Sequence, residues 1–182
     1  MDKPLAEAMI NVDDMVVFLD DREHDDKLIE LLSMYDPMGF YAERLLRKYL
    51  PKAEKNNTFT ATLSREYILC RKLANLAFDK VLLERWVGLM LRLDHNPAQW
   101  LEAFLRRKLK RHFTPTEAQQ ALTIMIKNAR DGSERLPDGR IVSSEPLETK
   151  RVVAFARDHH LDADDALKRI EQYYKQTRGN LY

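Results

Sequence analysis

The chain has 182 residues, 45% hydrophobic and 32% charged, with a formal net charge of +1. That length holds one domain or two small ones, and the balance excludes intrinsic disorder while supporting a core without disulfides. Five glycines and seven prolines are too few for an all-β chain, so a mainly α fold is expected.

The first segment, residues 1–35, is acidic. Its opening, MDKPLAEAMINVDD, has no apolar core of the kind a signal peptide needs. Met15, Val16, Val17, Phe18 and Leu19 form a short apolar run that suits a short helix or a docking strand. A helix is predicted from Asp21 to Tyr35, with Leu28, Ile29, Leu31 and Leu32 inward. Its acidic first turn (Asp21, Glu23, Asp25, Asp26) complements the positive end of the helix dipole.

Residues 36–131 read as a helical bundle. Asp36-Pro37, Asn96-Pro97 and Thr114-Pro115 each place a capping side chain before a proline suited to the first helical position. Asn96 with Gln99, and Thr114 with Glu117, have capping-box spacing. Pro51 is expected to end the helix begun at Asp36, and Lys52 to Thr60 to form a polar loop. Helical periods then run from Ser64 to Phe78 and from Asp79 to Asp94. The first is carried by Leu69, Leu73, Leu76 and Ala77, and the second by Leu82, Leu83, Trp86, Leu89, Met90 and Leu93. Two more helices are predicted over 97–112 and 115–130.

The pattern changes at Asp131-Gly132. Pro137-Asp138-Gly139 is a turn signal between two short apolar-containing stretches, so a short β-hairpin or single strand is expected near 133–144. A C-terminal αα-hairpin is predicted over 145–179, with Asp162 and Asp165 opening its second helix. The expected organisation is an acidic segment (1–35) packed on a bundle (36–131), followed by the β element and helix pair (132–182).

Signals for catalysis are weak, and no enzyme activity, metal or cofactor is expected. The chain has no glycine-rich phosphate loop; its nearest glycine pair is Gly132 and Gly139. Cys70 is the only cysteine. It allows neither an internal disulfide nor a Cys-based zinc site, and it sits in an amphipathic period as a structural thiol would. His159 and His160 are adjacent, so on a helix they point about 100° apart and do not share a metal. Asp13, Asp14, Asp20, Asp21, Asp25 and Asp26 lack the spacing and turn glycine of a calcium loop. The longest central apolar run, Trp86 to Leu91, is far short of the ~20 residues a membrane span needs. A cytoplasmic protein without membrane association is expected.

The charge is polarised: net −8 over residues 1–40, +10 over 41–130 and −1 over 131–182. A basic middle suits a polyanionic partner, or an acidic head that docks on it and neutralises it. Arg106, Arg107, Lys108, Lys110 and Arg111 put five cations within six residues, opposite a stripe of Trp100, Leu101, Phe104, Leu105 and Leu109. In the next helix Ala118, Leu122, Met125 and Ala129 face one way. Thr116, Gln120, Thr123, Lys127 and Arg130 fall on the other, bordered by Gln119. These are side chains that reach base edges and phosphates.

Helix, short turn, polar-striped helix and hairpin is the order of a winged helix-turn-helix, with 115–130 in the major groove and 133–143 as the wing. A competing pattern uses Arg140, Val142 and Ser144 as the base-facing side of a strand followed by two helices, as in ribbon-helix-helix homodimers. Both make the chain a sequence-specific binder of double-stranded DNA, a transcriptional regulator. The alternative is a non-enzymatic helical adaptor that binds a protein partner through its acidic head or basic bundle face.

Overall fold

The computed structural model describes residues 13–58, 60–94, 97–131, 133–135, 137, 141–143 and 145–179. It is mainly helical, as composition and periodicity led one to expect. The chain divides into two compact units, Met1–Leu93 and Asp94–Tyr182, so the division falls inside the segment 36–131 expected to form one bundle. The units are set by which helices share a core, which local capping signals do not record.

In the first unit residues 13–19 are helical (α1). They are followed by α2 (Asp25–Tyr35), α3 (Phe40–Lys55), α4 (Arg65–Ala74) and α5 (Lys80–Leu93). α3 packs on α4 and α5, and α4 also touches α2. Leu28, Leu32, Leu46, Leu50, Leu69, Leu73, Leu83 and Trp86 are fully buried, and the Tyr67 and Trp86 rings meet at 5.1 Å. Ser64 caps α4 by accepting the Tyr67 N–H (3.2 Å). Asp79 caps α5 by accepting from Val81 (2.9 Å) and Leu82 (3.3 Å).

Two local expectations fail in α3. The helix does not follow directly on Asp36-Pro37. The chain first turns through Gly39 at φ +69, and the buried Asp36 carboxylate then accepts the N–H groups of Phe40, Tyr41 and Ala42 at 2.9–3.0 Å. Gly39 is required there, because a Cβ would lie 2.7 Å from the Leu76 carbonyl oxygen as well as being strained by the backbone. Nor does Pro51 end the helix, which runs on to Lys55. An interior proline costs about 3 kcal/mol; burial of Leu50 and Ala53 on either side of it offsets that cost and holds the turn helical.

The acidic head meets the basic helices of its own unit. Arg65 lays its guanidinium on Asp25 with two parallel bonds of 2.9 Å. Lys72 reaches Asp26 at 2.8 Å, Lys48 and the Tyr49 hydroxyl both donate to Asp20, and Arg44 approaches Asp13 at 3.9 Å. Burial alone would raise the Asp20 carboxyl. The bonds from Lys48 and Tyr49, with Arg65 nearby, outweigh it and hold the group below its ordinary value. Of the two readings of the charge polarity, docking of head on middle describes these pairs.

The second unit comprises α6 (Pro97–Phe104), α7 (Pro115–Asp131), α8 (Glu145–Asp158) and α9 (Ala163–Gly179). Between α7 and α8, β1 (Ser133–Arg135) and β2 (Ile141–Ser143) pair antiparallel with Glu134 opposite Val142. Two three-residue strands make no layer, so the class stays mainly α. α8 and α9 form the C-terminal helix pair, and α7 packs on both and on α6. Asp162 accepts the Asp165 N–H at 2.9 Å and opens α9.

Candidate nucleic-acid interface

α6 does not continue as a regular helix to residue 112. Leu105–Leu109 form a π-turn, and Lys110 leaves it in the left-handed conformation at φ +53. The cause is in the packing. Leu101, Leu105 and Leu109 are all buried but are spaced four apart, so on a regular helix the last would drift about 80° from the first. A wider turn brings it back. The expected apolar stripe is also narrower, because Trp100 is half exposed.

This local change breaks up the five-cation cluster. Arg106 is exposed and pairs with Glu102 at 3.8 Å. Arg107 and Lys110 are exposed. Arg111, placed past the helix end, turns onto the next one: its two terminal nitrogens reach the two oxygens of Glu117 at 2.6 and 3.0 Å. It also donates to the His112 carbonyl at 2.9 Å. Arg111 is therefore a structural clamp.

The clamp completes the start of α7. The Thr114 N–H donates to Glu117 (3.0 Å), and the Thr114 hydroxyl accepts the Glu117 N–H (3.2 Å). That is the capping box expected from the spacing. Burial alone would raise the Glu117 carboxyl; Arg111 and the Thr114 N–H outweigh it and hold it below its ordinary value. On the other side of the turn Phe113 meets Phe155 edge-on at 5.9 Å and His159 at 5.2 Å. His159 lies tilted against Phe155 at 4.3 Å. The turn before α7 is thus pinned to α7 by charge and to α8 by aromatic packing. His159 is an aromatic spacer here, and His160 takes the left-handed position past the end of α8.

α7 then divides into two faces. Ala118, Ala121, Leu122 and Ile126 are buried. Thr116, Gln119, Gln120, Thr123 and Lys127 are exposed and follow one another along a ridge about 16 Å long. The buried set differs from the expected one by including Ala121 and Ile126, while Met125 is only half buried. The Thr123 hydroxyl donates to the Gln119 carbonyl at 2.9 Å, so it offers solvent a methyl group and acceptor lone pairs. Gln119 and Gln120 carry both donors and acceptors. Arg130 lies in the last turns of α7, but its side chain, like the whole of Arg140, is outside the described residues, as are Asn96 and Ser144.

Elsewhere the described residues hold no group of three or more metal-ligating side chains close enough to share an ion. Cys70 is buried, and burial together with Glu66 and Glu54 pushes its thiol up to about 12, which leaves it inert. No described helix is long and apolar enough to cross a membrane. Comparison of the chain with protein-family models, with curated proteins and with solved structures finds no match.

Proposed function

We propose that the chain is a sequence-specific binder of double-stranded DNA, a regulator without catalytic activity, that reads the major groove with α7. One observation carries this. A helix fixed at its start by the Arg111–Glu117 clamp and buried along Ala118, Leu122 and Ile126 turns a continuous row of Thr116, Gln119, Gln120, Thr123 and Lys127 to solvent. A groove about 12 Å wide admits one such helix. Gln amides suit adenine edges, and lysine suits phosphate. The antiparallel pairing of β1 with β2 favours the winged arrangement over the ribbon, because one edge of β2 is already occupied within the chain. Arg106, Arg107 and Lys110 are the flanking phosphate contacts in this reading; Arg111 is not.

The test is fluorescence-anisotropy binding to mixed-sequence duplex DNA over a series of salt concentrations. Affinity should fall steeply with salt, and Lys127→Ala should reduce the slope by about 1. Gln120→Ala should alter the sequence preference recovered by selection. Absence of binding at low salt overturns the reading.

A second reading, an adaptor that binds protein through the 1–35 segment, is favoured by an apolar groove of about 450 Å³ lined by Met15, Phe18, Leu19, Leu31, Met34 and Tyr35. It predicts no salt-sensitive DNA affinity, so the same titration separates the two.

A further inference from the structure

α3 carries Arg44, Lys48 and Lys52 at four-residue spacing, which sets them on one face about 6 Å apart along the axis. The acidic segment lies along this row. Asp13 approaches Arg44 at 3.9 Å, and Asp20 takes bonds from Lys48 and Tyr49 and lies 3.5 Å from Arg65. Lys52 stands 5.3 Å over the Tyr49 ring. The Asp20 carboxylate therefore sits in a cradle of ammonium, phenol and guanidinium. The same donors serve a phosphate equally well. Their spacing is close to the about 7 Å rise of two nucleotides along one strand.

This counter-charge is thinly held. Of the seven residues of α1, Val16 and Leu19 are buried, while Val17 and Phe18 are 71% and 73% exposed. The Asp13–Arg44 pair is exposed on both sides, and exposed pairs contribute little and are screened by salt. α2, by contrast, is anchored by Leu28, Leu31 and Leu32, so Asp25 and Asp26 stay in place when α1 leaves.

We propose that α1 and the following Asp20 are a displaceable acidic counter-charge, and that the exposed row Arg44, Lys48 and Lys52 beside them is a second surface for the phosphate backbone of duplex DNA, distinct from α7. A nucleic acid competes with Asp13 and Asp20 for the same donors. The contacts are to phosphate alone, so this surface adds affinity and salt dependence without sequence preference.

The experiment uses the full chain with α7 disabled by Gln120→Ala and Lys127→Ala, so that its outcome is separate from the α7 reading. Into this background go Asp13→Asn, Asp14→Asn and Asp20→Asn together, and binding to a mixed-sequence 20-base-pair duplex is followed by anisotropy across salt. Neutralising the counter-charge should tighten binding at least tenfold at low salt and steepen the slope by about 3. Adding Lys48→Glu and Lys52→Glu should abolish the gain. Unchanged affinity and slope overturn the proposal, as does a gain that survives the two lysine reversals. Uptake of a fluorescent acidic peptide unrelated to residues 13–20, with no binding of duplex, does so too, by marking the row as a peptide site. Should the triple variant fail to fold by circular dichroism, Leu19→Ser, which loosens α1 and keeps its charges, is read by the same criteria.

Discussion

Arg65 in the first unit and Lys127 in the second are both cations on helices of a basic stretch, yet they are used differently. Arg65 is clamped to Asp25, lies beside Asp20 and covers the Tyr49 ring at 5.1 Å. Those contacts hold its proton more firmly than an ordinary guanidinium. Lys127 stands exposed on a helix whose buried side does the structural work. The difference teaches that a run of positive charge has no single meaning. A cation fixed between partly buried carboxylates belongs to the fold, and one on a rigid, solvated ridge is free to meet a ligand.

The sharpest way to break this comparison is Arg65→Ala. The Asp25 and Asp20 side chains, 20% and 13% exposed, would lose a shared partner, and unfolding free energy should fall by about 1–3 kcal/mol. Urea denaturation measures it; a change below about 0.5 kcal/mol would make Arg65 a surface cation like any other. Arg111→Ala extends the test to the second unit, where the cation nearest the proposed interface is structural. Loss of the bidentate clamp on the capping residue Glu117 should cost about 1–2 kcal/mol, more than Arg106→Ala, whose pair with Glu102 is exposed.

Acid acts on the same groups together. Asp20 is held below its ordinary value against burial, Asp26 by the bond from Lys72, and Asp79 chiefly by the backbone N–H of Leu82. A carboxyl depressed in the folded state contributes stability that is complete above the unfolded value, here 3.8. That stability drains as pH falls below it toward the folded value. Glu117 follows the same sign from 4.5. Tm should therefore hold steady above about pH 5 and drop below about pH 4, and Asp20→Asn should flatten that drop. An unchanged acid limb in Asp20→Asn would remove this carboxylate from the set that stabilises the first unit.

How much was legible follows from the range of the interactions. Thr114 with Glu117, and Asp162, act on amides three residues away, and each stands where its spacing placed it. Asp36 was misread because its carboxylate serves amides four to six residues on, across a left-handed glycine. Pro51 and the π-turn at Leu105 were hidden, since burial of Leu50, Ala53 and Leu109 decides them and no local pattern records it. The acidic and basic halves were visible as net charges, but the pairs join residues 28 to 46 apart. Of the proposed interface, the polar row was plain from helical period. The clamp of Arg111 on Glu117 was not, because the turn that carries Arg111 out of α6 is a tertiary effect.

The smallest stability effect is the one that tests the α7 row. Gln120→Ala and Lys127→Ala remove exposed side chains from a helix whose packing is on the opposite face, and alanine is at least as good a helix former. Each should change unfolding free energy by no more than about 0.5 kcal/mol. If they do so while DNA affinity or preference changes, the row is a surface kept for a ligand. If both lower stability as Arg65→Ala is expected to, α7 is held by its polar side as well. The contrast between a cation that belongs to the fold and one free to act would then not apply to this helix.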